Sequence, residues 1–210
     1  MKSIFERYFK KYDAWYDRNK FTYYSELETI RKALPKGGKN LEVGVGTGRF
    51  AAPLRIKYGV DPAENMLKIA RRRGIDVRKG AGEHLPFKKA TFDCVTIIIT
   101  LSFVQNPEKV LKEANRVLKK DGKIIIGMID RDSFLGKYYQ KKRGIFYKRA
   151  NLLNVKEVAD LLTRTRFKKF SYWQTIFRIP DEMRSVHKTR KGFGKGGFVV
   201  IRALKGTKLK

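Results

Sequence analysis

Between residues 40 and 130, short apolar runs alternate with amphipathic stretches, and this alternation restricts the fold more than any other feature. Runs rich in Val and Ile, such as NLEVGV, FDCVTIIIT and KIIIGMID, are typical of strands that are buried on both faces. The stretches between them, such as PAENMLKIARRRG, have the periodicity of amphipathic helices. Strands that alternate with helices build a parallel sheet covered on both sides. We therefore predict an α/β fold with a Rossmann-like, doubly wound, mostly parallel sheet of seven strands.

Helical patterns precede this region, and an irregular basic stretch follows it. Residues 3–19 place aromatic side chains at intervals of three and four, which predicts an amphipathic helix. The stretch TYYSELETIRKAL predicts a second helix, which ends before Pro35. After the fifth predicted strand, DRDSFLGKYYQKKRGIFYKRANLLN mixes basic and aromatic residues without a regular period. We interpret it as an insertion within a single domain over residues 1–210.

The glycine-rich stretch NLEVGVGTGRF begins in the first predicted strand and indicates a ligand site. Glycines at the end of a parallel strand let a ligand approach backbone N–H groups. A dinucleotide loop has the pattern G-x-G-x-x-G, but counting from Gly44 its third glycine would fall on Arg49. The pattern here is E-x-G-x-G-x-G, with Glu42 two residues before Gly44. An acid there suits a ligand with an ammonium group, so the spacing favours S-adenosylmethionine over nicotinamide; a purely structural turn is the alternative.

Four segments together carry a resemblance to a known family: LEVGVGTGRF, GVDPAENMLKIAR, GEHLPFKKATFDCV and NPEKVLKEANRVLKKDGKIII. In this order and spacing they resemble the class I S-adenosylmethionine-dependent methyltransferases, a broad group that includes small-molecule and ubiquinone-pathway enzymes. The resemblance implies an enzyme whose cofactor is S-adenosyl-L-methionine. It covers a cofactor-binding core over residues 38–130, which leaves an N-terminal helical cap (1–37) and a basic substrate-binding insertion with the last strands (131–210).

The resemblance also implies which residues bind the cofactor. Gly44, Gly46 and Gly48 would let the backbone approach its methionine part, with Glu42 near its amino group. Asp61, at the end of the second strand, would accept hydrogen bonds from the two ribose hydroxyls. The alternative for Asp61 is capping of the next helix, because the stretch DPAE is also a good helix start.

Four further residues complete the cofactor site that the resemblance implies: Pro62, Met66, Glu83 and Thr100. Met66 would pack near the adenine, with a place in the hydrophobic core as the alternative. Similar enzymes often carry an acid four residues before the stretch LPF, where this chain has Ala81. Adenine recognition would therefore fall to backbone groups around Glu83.

Candidate residues for the acceptor site come from three places in the chain. Tyr12 and Trp15 belong to the stretch YDAWYD, which in similar enzymes lies over the cofactor, so their rings would close the pocket against a planar acceptor. Simple burial in the core is an equal alternative for both. Ser102 follows the fourth strand, where its hydroxyl would accept from an amine. Asp130, at the end of the fifth strand, would orient an amine or form a strand-end turn.

Charge bears on the class of acceptor. The chain has 49 Lys and Arg against 20 Asp and Glu, a net charge of +29, and its last 80 residues have 22 against five. This excess favours a polyanion, and basic residues interleaved with aromatic ones suit looped or single-stranded RNA. We therefore predict methylation of RNA, with ribosomal RNA as substrate, a base nitrogen as acceptor and the cytosine N4 amine slightly favoured. A small-molecule methyltransferase and a non-catalytic RNA-binding protein are the alternatives.

Composition argues against several other function classes. Cys94, the single cysteine, lies inside an apolar strand, so we expect neither disulfides nor a pyrimidine C5 nucleophile. No His, Cys or carboxylate cluster has the spacing of metal ligands, so no metal is predicted. No segment reaches the ~20 apolar residues of a membrane span, and we expect no membrane partner and a cytoplasmic location. Few Gln beside abundant Lys, Arg and Glu suggest a hot environment.

Overall fold

Eight strands form one twisted sheet in the computed structural model, which describes residues 3–142 and 144–206. The strands are β1 (Asn40–Val43), β2 (Tyr58–Asp61), β3 (Asp76–Lys79), β4 (Phe92–Ile98), β5 (Leu118–Ile129), β6 (Phe167–Thr175), β7 (Arg190–Lys191) and β8 (Phe198–Lys205). Their order is β3-β2-β1-β4-β5-β8-β6-β7. The first five in this order are parallel, whereas β8 runs antiparallel to β5 and β6. The predicted Rossmann-like, mostly parallel α/β fold is confirmed.

The predicted number of strands was wrong by one. The additional strand is β7, whose two residues pair with Trp173 and Gln174 of β6 at the edge of the sheet. Its sequence context, HKTRKGFGKGG, has no apolar alternation and a single β-branched residue, Thr189. The strand therefore exists because β6 offers a free edge, and a local pattern could not predict it.

Seven α-helices cover the two faces of the sheet in the described part of the chain. They are α1 (Ile4–Arg7), α2 (Phe9–Arg18), α3 (Lys20–Ala33), α4 (Glu64–Arg72), α5 (Pro107–Val117), α6 (Phe134–Lys142) and α7 (Val155–Arg164). Apolar residues of α2, α3, α4 and α6 pack in one core, and those of α5 and α7 pack in a second core on the opposite face. The sheet is thus doubly wound, as predicted, and no helix here is both long and apolar enough to cross a membrane.

Side-chain caps explain where two of these helices begin. The Asn106 side chain accepts a hydrogen bond from the Lys109 N–H, and Pro107 occupies the first turn of α5, where its missing N–H costs nothing. At α7, Asn154 and Glu157 form a reciprocal capping box. These two helices cover the second of the two faces of the sheet.

The order of the strands places a crevice next to β1. The chain passes from β1 outward to β2 and β3, and then returns to β4 on the other side of β1. At such a switch point the connections after β1 and β4 leave in opposite directions, and the gap between them is where α/β sheets bind ligands. The glycine-rich loop after β1 and the turn after β4 therefore lie at opposite sides of one opening.

The predicted insertion after the fifth strand is folded rather than irregular. It forms α6 and a short 3-10 turn (Tyr147–Arg149), which contact each other and pack beside the N-terminal helices. The single helix predicted over residues 3–19 is divided into α1 and α2 at Tyr8, whose backbone leaves the helical conformation. Both segments lie over the carboxyl ends of the parallel strands.

Candidate active site

A cavity of about 960 Å³ opens at the carboxyl ends of β1, β2 and β4. Nine of the residues predicted from the sequence line it: Tyr12, Trp15, Gly44, Gly46, Asp61, Pro62, Met66, Glu83 and Thr100. Its volume lies at the upper end of the usual range for small-molecule sites, about 300–1,000 Å³. The cavity therefore has room for a nucleoside-sized cofactor together with a second, smaller molecule.

Two of the predicted glycines make the close approach that the cavity requires. Gly44 has a φ of +73°, and a Cβ at this position would overlap the side chain of Thr100. Gly46 has a φ of +54°, and a Cβ there would lie 3.6 Å from the Tyr12 ring. Both conformations are strained for residues with a side chain. The backbone of this loop is therefore exposed to the cavity because two side chains are missing.

Gly48 has a different function from its two neighbours. Its φ is +82°, but a Cβ there would overlap Ile75 and would contact Ala70 of α4, and the residue is not among those that line the cavity. That its backbone approaches the cofactor stays a prediction. Gly48 lets the loop pack tightly against α4 and the chain that leads into β3.

Glu42 also lies outside the cavity wall. Its side chain is 2% exposed on β1, beneath the glycine loop, and burial together with the nearby Asp61 carboxylate raises its pKa well above the usual range. Among the described residues, Oε2 has no hydrogen-bond partner. A buried acceptor without a partner is costly, and an ammonium group of a ligand bound over the loop would lower that cost.

Asp61 joins the glycine loop to the start of α4. One carboxylate oxygen accepts the Gly46 N–H at 3.0 Å and the other accepts the Ala63 N–H at 2.9 Å. Helix α4 begins at Glu64 with Ala63 as its N-cap, so Asp61 is not the helix cap of the alternative interpretation. Burial raises the pKa of Asp61 to about 6, and the carboxyl lines the cavity. Its free lone pairs are available to hydroxyl donors.

The far end of the cavity is formed by Pro62, Met66 and Glu83. Met66 is 1% exposed in α4, so it contributes both to the core and to the cavity wall. Glu83 accepts the N–H groups of Gln105 and Asn106, at 3.2 and 3.4 Å, which ties the loop after β3 to the start of α5. Its carboxylate is therefore partly occupied by the protein.

Two residues predicted for the acceptor site lie elsewhere. Ser102 is buried in the 3-10 turn after β4, where its carbonyl oxygen accepts the Asn151 N–H at 2.8 Å. Asp130 follows β5 and accepts the Asp132 N–H at 3.3 Å, as in the strand-end turn of the alternative interpretation. Neither residue is among those that line the cavity, and their part at an acceptor site stays a prediction.

Aromatic rings close the cavity from above. The Tyr12 hydroxyl is hydrogen-bonded to that of Tyr16 at 2.7 Å, and the ring of Phe5 packs edge-on against Tyr12 at 5.7 Å between centroids. Phe5 also stacks on Phe146 of the insertion at 5.4 Å. Trp15 lines the same wall and packs edge-on against Tyr16. The N-terminal helices and the insertion thus form one roof.

An ion-pair network fastens this roof to the glycine loop. Asp13 of α2 accepts hydrogen bonds from Arg49, Arg73 and the Thr47 hydroxyl, and Arg49 also pairs with Asp17 at 2.7 Å. Although burial acts in the opposite direction, these donors hold the pKa of Asp13 well below its usual range. The two acids of the stretch YDAWYD therefore act as ties rather than as groups directed at a ligand.

Among the residues of the cavity wall that the sequence analysis did not assign to this site, three bear on its chemistry. Glu26 of α3 is 2% exposed and lines the cavity, where burial raises its pKa to about 8. Tyr139 and Tyr147 stack on each other at 4.1 Å and line the same region. One signal could have identified Glu26: it lies three residues after Tyr23 and four before Ile30, on the buried face of α3. The described residues contain no group of three or more His, Cys, Asp or Glu side chains placed to hold a metal ion.

Comparisons with known proteins agree with this geometry. Residues 41–126 match the family model described as Methyltransferase domain. An uncharacterised protein of Methanocaldococcus jannaschii, MJ1123, is 50% identical over 97% of this chain and 99% of its own length. A demethylmenaquinone methyltransferase of Lactococcus lactis is 29% identical over 92% of this chain and 75% of its own length.

One similar protein of known structure is described by its cofactor. A Thermotoga maritima protein, described as an S-adenosylmethionine-dependent methyltransferase and possible histamine N-methyltransferase, superposes with a TM-score of 0.94. It is 46% identical, and the match covers 96% of this chain and 98% of that protein. Gly44 and Gly46 of the glycine loop and Asp61 line the cavity in which such a cofactor would bind. The chain therefore belongs to the class I S-adenosylmethionine-dependent methyltransferases, enzymes whose cofactor is S-adenosyl-L-methionine.

Proposed function

We propose that this methyltransferase acts on a small organic molecule that binds beneath the aromatic roof. The observation that carries the proposal is the aromatic lining of the cavity by Tyr12, Trp15, Phe146 and Tyr147. These rings come from α2 and from the insertion after β5, and Tyr12 packs edge-on against Phe146 at 5.7 Å between centroids. A small acceptor would be held on several sides and shielded from water, as a displacement reaction requires.

The aromatic residues that suggested RNA support the same conclusion. Tyr139 is 7% exposed, and Tyr138 donates a hydrogen bond to Asp181 at 2.8 Å. Phe146 stacks on Phe5, and Trp173 packs against the core beneath the Arg202 guanidinium. Stacking platforms for single-stranded RNA present their rings on an open groove. Here Tyr139, Phe146 and Trp173 line the pocket or pack on the core, whereas Tyr138 and Tyr172 are partly buried.

Similar proteins also act on small molecules, as far as their names describe them. The Thermotoga maritima protein is described as a possible histamine N-methyltransferase, and the Lactococcus lactis protein as a demethylmenaquinone methyltransferase. One acceptor is an amine and the other is a quinone. Together they support a compact organic acceptor and leave its functional group open.

The residues of this chain would contribute binding and exclusion of water. The cofactor supplies an electrophilic methyl group on a sulfonium. The glycine loop and Asp61 would hold the cofactor, while Tyr12, which packs on Gly46, would separate its binding site from that of the acceptor. Methyl transfer is an in-line displacement, so holding donor and acceptor in close, water-poor contact provides much of the rate enhancement.

The test compares two fractions of one cell extract, total RNA and molecules of low mass, each incubated with the enzyme and methyl-labelled S-adenosylmethionine. We expect label in the low-mass fraction, and mass spectrometry of the labelled compound then identifies the acceptor. The variant Gly44→Ala, which crowds Thr100 at the cofactor loop, is the inactive control. Label confined to RNA would overturn the proposal.

A second candidate is methylation of a base nitrogen in RNA, with ribosomal RNA as substrate and the cytosine N4 amine as acceptor. Its support is the net charge of +29 and the concentration of Lys and Arg in the last 80 residues. If RNA binds through many phosphate contacts, the logarithm of its affinity must fall steeply with the logarithm of salt concentration. Weak binding that is indifferent to salt would remove this candidate. Membership of an enzyme family sets the non-catalytic RNA-binding protein aside.

A further inference from the structure

Glu26 is a buried carboxyl that the cofactor does not explain. It lies in the middle of α3, 2% exposed, and its side chain reaches the wall of the cavity. In the described part of the chain, Oε2 has no donor within hydrogen-bond distance. Arg and Lys side chains are abundant in this protein, yet the ion pairs seen among the described residues do not include Glu26.

An unpaired buried acid makes the folded state less stable, so stability alone does not explain why the residue is present. Removing a carboxyl group from water without a partner is unfavourable by several kcal/mol if it stays charged, and by about 1–3 kcal/mol if it is neutral and unsatisfied. Apolar neighbours on the same face of α3, Tyr23, Leu27 and Ile30, show that an apolar side chain would suit the position. Such a group is expected where a ligand supplies the missing partner.

Four tyrosines line the same cavity as this carboxyl: Tyr12, Tyr16, Tyr139 and Tyr147. They come from α2, α6 and the 3-10 turn. Burial raises the pKa of each of them, and the Glu26 charge is a smaller contribution to each shift. Burial alone accounts for the raised pKa of Glu26.

A carboxylate within aromatic rings is complementary to one class of molecule. Ring faces attract a cation through their quadrupoles, most strongly where water is excluded. A carboxylate forms charge-assisted hydrogen bonds with an ammonium group, about twice as strong as neutral ones. A neutral alcohol or quinone has no positive charge to pair with a Glu26 carboxylate or with the ring faces.

We propose that the acceptor is an amine and that Glu26, in the same cavity as Tyr12, Tyr16, Tyr139 and Tyr147, binds its ammonium group and accepts one of its protons. This inference rests on the proposed small-molecule function, and it specifies the functional group of the substrate.

The proposed steps balance in protons and electrons. The ammonium group gives one proton to the Glu26 carboxylate, which leaves a neutral amine with a free electron pair. The amine nitrogen then forms a bond to the methyl carbon while the carbon–sulfur bond breaks, and the electron pair of that bond stays on sulfur as S-adenosylhomocysteine. The product nitrogen carries the positive charge. When the product leaves, Glu26 keeps this proton, which is its state in the free protein at pH 7; the one proton lost overall is the proton released to water when the amine bound.

Matched pairs of probes test the inference with protein saturated by S-adenosylhomocysteine. Calorimetry would compare phenethylamine with phenethyl alcohol, and butylamine with butanol. We expect wild-type protein to bind each amine about ten-fold or more tightly than its alcohol. At pH 7, where Glu26 is mostly protonated when the acceptor is absent, amine binding should release about one proton, measured in buffers of different ionisation enthalpy.

Two variants separate ligand binding from a structural contribution. Glu26→Gln keeps the shape of the side chain, and we expect it to abolish both the preference for amines and the proton release while leaving S-adenosylhomocysteine affinity unchanged. Glu28→Gln, on the same helix but half exposed, should behave as wild type. The proton release of the wild-type protein provides a readout that does not depend on either variant folding.

Each result distinguishes the inference from the function on which it rests. If wild-type protein binds amine and alcohol equally, or Glu26→Gln keeps the preference, the assignment of Glu26 is overturned and the small-molecule function stands. If no probe of either kind binds and methyl label appears only in RNA, the small-molecule function fails as well. Amine binding without proton release would contradict the proton transfer to Glu26.

Discussion

Asp13 of α2 and Arg49, which follows the glycine loop, are joined by two parallel hydrogen bonds, Nε to Oδ1 at 2.9 Å and Nη2 to Oδ2 at 2.8 Å. Arg73, the C-cap residue of α4, binds the same carboxylate, with Nη1 2.8 Å from Oδ1. A bidentate pair of this kind fixes orientation as well as distance. The N-terminal roof is therefore attached to the loop that would hold the cofactor.

Replacing Asp13 tests this attachment. Asp13→Ala leaves two guanidinium groups that are only 15% and 26% exposed without their shared partner. We expect a loss of about 2–3 kcal/mol in the free energy of unfolding, somewhat below that of a fully buried pair. Cofactor affinity should fall by about ten-fold, because Tyr12 is no longer held over Gly46. Chemical denaturation and calorimetric titration with S-adenosylmethionine measure the two effects.

The control for Asp13 is an exposed ion pair of the same kind. Glu108→Ala removes the partner of Lys112 on the surface of α5, where the lysine side chain is 63% exposed. Exposed pairs contribute about 0.2–1 kcal/mol, and cofactor affinity should not change. Equal effects of the two variants would contradict the special position of Asp13.

Alanine substitutions at Gly44 and Gly37 distinguish the effect of steric crowding from that of backbone strain. Both have positive φ, +73° and +93°, but a Cβ at Gly44 would overlap Thr100, whereas a Cβ at Gly37 would meet nothing within 4 Å. Gly37→Ala should therefore cost only the strain, about 1–2 kcal/mol, and leave cofactor affinity unchanged. Gly44→Ala should cost more and should abolish cofactor binding detectable by calorimetry. Normal binding by Gly44→Ala would show that this loop does not hold the cofactor.

Asp61 makes cofactor binding dependent on pH. The carboxylate can accept hydroxyl donors, whereas the neutral acid has one oxygen occupied by its own proton. Because the pKa of Asp61 is raised to about 6 by burial, we expect cofactor affinity to be constant above that pH and to decline below it. Asp61→Ala should abolish binding, and Asp76→Ala, at an exposed position on β3, should not. Calorimetric titration at several pH values measures both.

Glu26 should make the free protein less stable as pH rises. Its pKa is about 8 in the folded state against an ordinary 4.5, so the folded state holds a proton that the unfolded chain has lost. The stabilisation is complete below about pH 4.5, falls between that pH and 8, and stays constant above. Glu26→Gln should therefore gain stability relative to wild type, on the order of a few kcal/mol at pH 9 and little at pH 4. Thermal unfolding at several pH values measures this difference; a destabilised variant at pH 9 would contradict it.

The sequence predicted those parts of the structure that depend on consecutive residues. The parallel strands and the glycine loop were predictable because Val and Ile runs and the E-x-G-x-G-x-G spacing are properties of consecutive residues. Asp61 could be placed at the end of β2 for the same reason. Gly48 was predicted to face the cofactor, but its spacing could not show that Ile75, distant in sequence, packs against it.

Contacts between distant segments were not predictable in this way. Asp13 and Arg49 are separated by 36 residues, and each looks like an ordinary surface charge in its own segment. The aromatic residues of the insertion were interpreted as an RNA-binding surface, because composition does not show whether a ring faces inward. Tyr139 and Tyr147 face inward because α6 and the 3-10 turn pack beneath the N-terminal helices. The net charge of +29 is a property of the whole chain, and the salt dependence of RNA binding tests whether RNA is its partner.

Arg49 occupies the position at which a dinucleotide loop carries its third glycine, and its guanidinium reaches back to α2. An engineer who wished to convert this loop to a nicotinamide cofactor would begin with Arg49→Gly. That change would also remove two of the ties to α2, the pairs of Arg49 with Asp13 and Asp17, and would leave only Arg73 and Thr47 on Asp13. A change of cofactor loop would therefore loosen the N-terminal helices at the same time.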